Sequence, residues 1–225
     1  MILPDIGLIA ANTSRTRAYL AAMERHDLLP SWTLLLDDEA HAKLPEQAGS
    51  VLSCQEEQNE CWGETKFDTV TPLRLWLERL DINFTFSGTK DINSLDVVSE
   101  ISRSKPSVLI YSGYGGGILR QSVLDTGKRF LHVHGGYLPD FKGSTTNYYS
   151  LLKENKLGAS AIFLNAEIDS GPVLVRRRFP PPVEREAIDH VYDSAARALI
   201  LIETLQAYIE SGDWYFDFPE NTEGG

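Results

Sequence analysis

The sequence predicts an α/β fold built on a largely parallel sheet. Short apolar runs alternate with stretches of helical period along the chain, the order expected of repeated strand–helix units. Glycines and histidines also cluster directly after apolar runs, where the carboxyl ends of parallel strands present ligand-binding groups. No internal repeat or low-complexity tract interrupts this order. With 225 residues, 42% hydrophobic and 24% charged, one catalytic-sized domain over 1–185 with a packed helix and tail over 186–225 is expected.

Taken in order, residues 6–10 read as a first strand, and Asn12-Thr13-Ser14 supply N-cap chemistry for a helix over 15–25. A second strand is expected at 33–36. The polar stretch 38–68 gives no regular pattern, and Pro72 suits the first turn of a short helix. Residues 82–86 alternate as a strand, Asn93-Ser94 precede a helix over 95–102, and 107–111 form a buried-type strand. A helix over 118–125 leads to a strand at 130–134, then a helix over 146–153. Two strands, 159–164 and 173–178, are joined through Asp169-Ser170-Gly171-Pro172. Val191, Ala195, Leu199 and Ile202 give a long helix over 186–210 its apolar stripe. The aromatic tail from Trp214 is expected to pack on the body or on a partner subunit.

Composition narrows the partners. A net charge of −11 repels phosphate backbones, so nucleic acid is not expected as a partner. The one basic run, Arg176-Arg177-Arg178, reads as a solvated strand end or an acceptor-phosphate contact. No apolar run reaches the roughly 18 to 20 residues that span a bilayer. Residues 1–5 lack the basic and apolar pattern of a secretory leader, so a cytoplasmic protein is expected. Cys54 and Cys61, in an acidic stretch, are expected as free thiols.

Three segments could carry chemistry. His132 and His134, two apart on a strand, address one face, and Gly135-Gly136 follow at once. From the local pattern they fit core histidines, a reactive pair, or two members of a two-histidine, one-carboxylate metal triad. Gly113-Tyr114-Gly115-Gly116-Gly117 follows a strand and would let a ligand lie against bare backbone, or be only a flexible turn. Asp169-Ser170-Gly171-Pro172 alone is a tight turn begun by an Asp.

Together these segments resemble the folate-dependent formyltransferases. His132-Val133-His134 through Leu138-Pro139-Asp140-Phe141-Lys142-Gly143 is similar to the family signature Asn-x-His, Leu-Pro, aromatic, basic, Gly. Asp169-Ser170-Gly171-Pro172 matches its Asp-x-Gly-Pro turn, with Asp169 35 positions after His134. Residues 108–119 resemble its folate-lining strand and turn. The resemblance implies a Rossmann-like formyltransferase fold and formyl transfer from 10-formyltetrahydrofolate, as co-substrate, to an amine, with no metal.

By position, His134 would assist the tetrahedral intermediate and Asp169 would orient it and route the proton. Gly113, Tyr114, Gly115, Gly116, Gly117, Ile118, Leu119 and Gly171 would hold the folate; Tyr137, Lys142 and Gly143 would shape the acceptor side. His132 stands where the family has Asn, and a hydrogen-bond donor to the oxyanion is its expected role. Members acting on tRNA carry a further RNA-binding domain, whereas about 40 residues follow Arg185. The Gly-rich phosphate loop of the purine-pathway members is replaced by Ala10-Ala11-Asn12-Thr13-Ser14-Arg15. A small-molecule amine on a nucleotide-linked sugar is therefore the expected acceptor, with a hydrolase or a non-catalytic folate-binding module as alternatives. Pairing of two copies into a homodimer through helices or tail would be in keeping with such enzymes.

Overall fold

A computed structural model describes residues 1–37, 67–68 and 71–214. Seven strands form one sheet: β1 (Ile2–Ala10), β2 (Leu29–Leu35), β3 (Phe84–Phe86), β4 (Val108–Ser112), β5 (Arg129–His134), β6 (Leu157–Phe163) and β7 (Val173–Phe179). Their spatial order is β3-β2-β1-β4-β5-β6-β7. The first five are parallel, while β6 runs antiparallel to both β5 and β7. The strand order reverses beside β1, the topological switch at which open sheets of this kind bind ligands beyond their carboxyl ends. The expected α/β class and largely parallel sheet are what the structure has.

Side-chain alternation builds a core on each face. Leu8 of β1, Ile110 of β4, and Leu131 and Val133 of β5 pack in one cluster. That layer also takes α1 (Ser14–Arg25), α2 (Leu73–Arg79) and α6 (Asp193–Ser211) through Tyr19, Trp76, Leu201 and their neighbours. Ile9, Leu109, Tyr111 and Phe130 point the other way, against α3 (Leu95–Arg103) and α4 (Gln121–Leu124) through Val97, Ile101 and Val123. By the same alternation His132 and His134 project to the face of Phe130, at the strand's carboxyl end.

Local sequence explains most boundaries. The Thr13 hydroxyl accepts from the Thr16 N–H to cap α1, and Ser94 accepts from Val97 N–H to cap α3. The helix expected over 118–125 is a single turn, Gln121–Leu124, because residues 113–120 instead wrap the Tyr111 side chain, whose hydroxyl donates to the Gly117 carbonyl at 2.8 Å. The long helix expected from 186 begins as α-helix only at Asp193; a 3₁₀ turn, Arg185–Ala187, and a π turn, Ile188–Tyr192, precede it. Ile188, Val191 and Tyr192, at the i, i+3, i+4 spacing of one helical face, are all buried in this lead-in.

Trp214 is buried, stacked on Tyr208 at 4.1 Å and edge-on to Phe163 at 5.3 Å, so this part of the tail packs on the body. Arg176, Arg177 and Arg178 are bound internally: to the Leu138 carbonyl, to Glu203, and to Glu154 and Asp140. Cys54 and Cys61 lie outside the described residues. None of the described helices is long and apolar enough to cross a membrane.

The β6–β7 connection turns on Gly171. A Cβ there would lie 1.7 Å from the Phe163 carbonyl oxygen, inside any permitted contact, and the obstacle is main chain. Gly171→Ala is therefore expected to cost about 3 kcal/mol, read as a lower urea midpoint; a midpoint within error of wild type would show that the turn relaxes freely.

Candidate functional site

The strand end, its glycines and two return loops assemble the site. His134 ends β5 and is 5% exposed. Its Nε2 donates to the Phe141 carbonyl at 2.9 Å, because a carbonyl can only accept. Gly136 makes that bond possible: a Cβ there would stand 2.7 Å from both His134 Nε2 and the Phe141 oxygen. Gly135 does the same for a charged pair, since its Cβ would meet Arg197 at 2.3 Å and Asp193 at 2.4 Å. The His-Gly-Gly run thus lets two groups press against the end of the strand.

With Nε2 anchored, Nδ1 is the second ring nitrogen of His134 and faces a carboxylate. It lies 3.4 Å from Asp169 Oδ2, near enough to feel the carboxylate and longer than the 2.7–3.2 Å of a committed hydrogen bond. Asp169 is 8% exposed and adopts φ 50°, a left-handed conformation that Asp tolerates. Its Oδ2 also accepts the Gly143 N–H at 2.9 Å. Burial pulls the His134 pKa below its ordinary value, with Asp169 opposing that shift and the Arg197 guanidinium adding to it. The ring is therefore neutral at pH 7, with a lone pair on Nδ1 and a carboxylate in place to stabilise the imidazolium it would become.

His132 is arranged the opposite way round. Its Nδ1 donates to the Tyr111 carbonyl at 3.2 Å, so a neutral ring presents a lone pair at Nε2. Burial, then the Arg15 and Arg197 guanidiniums, hold its pKa well below 6.5. The oxyanion-donor role expected of this position does not fit that tautomer: Nε2 accepts, and protonating it would place a third cation beside two arginines.

The turn after β4 is built around Tyr111, whose phenol burial pushes up to about 12, so that it stays a donor to Gly117. A Cβ on Gly115 or Gly116 would meet open space, and Ile118 is 61% exposed. Bare main chain beside an exposed apolar side chain suits a flat heteroaromatic ring. Tyr114 donates to Asp37 at 3.2 Å, while Leu119 is buried in the core.

Beside His134 lies a cavity of about 220 Å³, lined among the described residues by Gly135, Gly143, Ser144, Tyr148, Asp189, Arg197 and their neighbours. Gly143 is thus on its wall, whereas Tyr137 and Lys142 are not. The Tyr137 ring is instead covered by Arg178 at 3.6 Å and Arg176 at 4.9 Å. Among the described residues no three His, Cys, Asp or Glu side chains gather into a metal-binding group.

Sequence reasoning missed Asp193 and Arg197. Arg197 donates to Asp193 at 2.7 Å and to the Val133 carbonyl at 2.8 Å, fixing α6 to the end of β5. The available signal was a charged pair four apart among Tyr192, Ala195 and Ala196, inside an apolar stripe. Arg15, at the start of α1, donates to Ser112 Oγ and to the Gly113 carbonyl.

A family model described as formyl transferase matches residues 52–198. The chain belongs to the formyl transferase family. Its relatives include the methionyl-tRNA formyltransferase of Roseiflexus sp. (strain RS-1), 28% identical over 149 residues, covering 65% of this chain and 45% of that protein. The chain thus spans about half the length of the curated relatives it matches. Among solved structures, phosphoribosylglycinamide formyltransferase from Anaplasma phagocytophilum superposes with a TM-score of 0.62 at 14% identity, covering 92% of this chain and 86% of the other. A formyltetrahydrofolate deformylase from Pseudomonas syringae pv. tomato gives 0.63 at 16%, covering 94% and 63%. Identities at this level are a likeness of fold: the same sheet is common to a transferase and a deformylase.

The histidine environments give a pH prediction. His132 and His134 have folded pKa values below the unfolded value of about 6.5, so below that pH the unfolded chain binds more protons and stability falls. Each contributes a slope of up to about 1.4 kcal/mol per pH unit in that window. His132→Asn is expected to flatten the fall in unfolding midpoint between about pH 6.5 and 5.5; an unchanged slope would mean His132 titrates normally in the fold.

Proposed function

We propose that this formyl transferase moves a formyl group from 10-formyltetrahydrofolate to a primary amine of a small acceptor. The observation that carries the reading is the His134–Asp169 pair, one nitrogen anchored and the other facing a carboxylate, on the wall of a cavity in a chain of this family. In the reaction the amine nitrogen bonds to the formyl carbon, the bond from that carbon to the folate nitrogen breaks, and one proton passes between the nitrogens.

The site's own groups suit those demands. The Nδ1 lone pair of neutral His134 takes a proton from the attacking amine. The imidazolium so formed, stabilised by Asp169, then donates to the developing oxyanion and returns the proton to the departing nitrogen. The main chain of Gly113 to Gly117, with Ile118 and the Asp169–Gly171 turn, would hold the folate. His132 would offer a second acceptor at Nε2. A nucleotide-linked amino sugar is one acceptor of this kind and belongs in any panel.

Purified protein with 10-formyltetrahydrofolate and a panel of amines tests the reading. Release of tetrahydrofolate that requires an amine supports it; release without any amine would make the protein a hydrolase. Folate binding without turnover would make it a binding module. His134→Ala is expected to lower kcat by about 10²- to 10⁴-fold while folate binding persists. Asp169→Asn should slow transfer in the same direction, and an unchanged rate in either variant would sink the assignment.

A further inference from the structure

Resting on the transferase reading, we propose that the cavity beside His134 takes a phosphate-free, hydroxyl-bearing amine, such as a free amino sugar, in preference to a nucleotide-linked one. Size is the first argument. About 220 Å³ is below the roughly 300–1,000 Å³ of ordinary ligand pockets, and holds one ring-sized group.

Charge is the second. Among the described residues that line the cavity, the carboxylates are Asp189 and Asp193 and the single guanidinium or ammonium group is Arg197. Arg197 is already committed to Asp193 and to the Val133 carbonyl. The lining therefore carries one net negative charge, and Asp169 adds another behind His134. Opposing this is the amino end of α5 (Thr146–Glu154), which also lines the cavity and contributes roughly half a positive charge. The carboxylates outweigh it. The amino end of α6 is already met by Asp193.

Placement makes the charge count against phosphate in particular. In a nucleotide-linked sugar the diphosphate is bonded directly to the ring, so with the ring inside, the phosphates fall at the mouth. Exposed Asp189 stands there, its Oδ2 accepting from the Tyr148 hydroxyl at 2.7 Å. Arg176 and Arg178 are engaged on the β7 side and Arg15 on β4, and Lys142, next to Gly143, is not part of the lining. What the lining offers is hydrogen bonding to hydroxyls and attraction for an ammonium group. The Ser144 hydroxyl and the carboxylates are placed for it, and the Thr145 side chain is held at the rim by its own bond to the Ser144 carbonyl.

Matched pairs of amino sugars, free and nucleotide-linked, assayed with 10-formyltetrahydrofolate test this. The free member of the pair that reacts should show a kcat/KM at least about tenfold higher, and Asp189→Lys should shrink or reverse that preference. A nucleotide-linked sugar favoured by wild type would overturn the proposal while leaving the transferase reading intact; absence of release with every amine would count against that reading instead. A second measurement needs no turnover. Millimolar pyrophosphate alone should leave the His134 imidazole resonances in place in wild type and shift them in Asp189→Lys, and a saturable shift in wild type would equally overturn the proposal.

Discussion

One stretch of main chain between β5 and α5 holds both His134 and Asp169. The Phe141 carbonyl fixes His134 by its Nε2–H, and two residues later the Gly143 N–H fixes the carboxylate of Asp169. Everything else at the site follows from where that stretch sits. It is tied down by Ser160 of β6, whose hydroxyl accepts from the Leu138 N–H and donates to the Gly136 carbonyl. Thr146, the first residue of α5, donates to the Gly135 carbonyl. The histidine is therefore oriented by backbone, which does not titrate, and its reactive nitrogen is tuned by a carboxylate that sits slightly too far away to lock it.

Burial and charge act together on that pair. Desolvation opposes the imidazolium, and so does Arg197; Asp169 supports it. The balance leaves a base at neutral pH whose conjugate acid is a competent donor, which formyl transfer needs in succession. Beside it, the chain departs from the family signature. A histidine in place of Asn exchanges an amide for an imidazole held with its lone pair outward by the Tyr111 carbonyl. The site then has two neutral acceptors on one strand.

Much of this was legible in the sequence, and the parts that were not have physical reasons. Strand alternation put His132 and His134 on one face, and Asp169 was singled out by its Asp-x-Gly-Pro turn 35 positions after His134 in the resemblance to the family, not by the turn alone. The direction of each imidazole could not be read, because the Tyr111 and Phe141 carbonyls that set it belong to main chain. The Asp193–Arg197 pair was hidden inside an apolar helical stripe, where charged residues look like exceptions to a pattern. The short α4 has a related reason: local propensity favours helix there, but the wrapping of Tyr111 overrides it, whereas the long helix begins near where it is expected, through a 3₁₀ and a π turn. The basic run Arg176-Arg177-Arg178 shows the converse: Arg177 pairs with Glu203, Arg178 with Glu154 and Asp140, and Arg176 donates to the Leu138 carbonyl.

The two histidines are anchored through opposite nitrogens, which leaves Nδ1 of His134 facing Asp169. Nitrogen-15 spectra of histidine-labelled protein at neutral pH, assigned with His132→Asn and His134→Ala, test it directly. The expected result is a proton on Nε2 of His134 and on Nδ1 of His132. Finding His134 neutral with its proton on Nδ1 would contradict it, because that tautomer has no lone pair to offer beside the carboxylate.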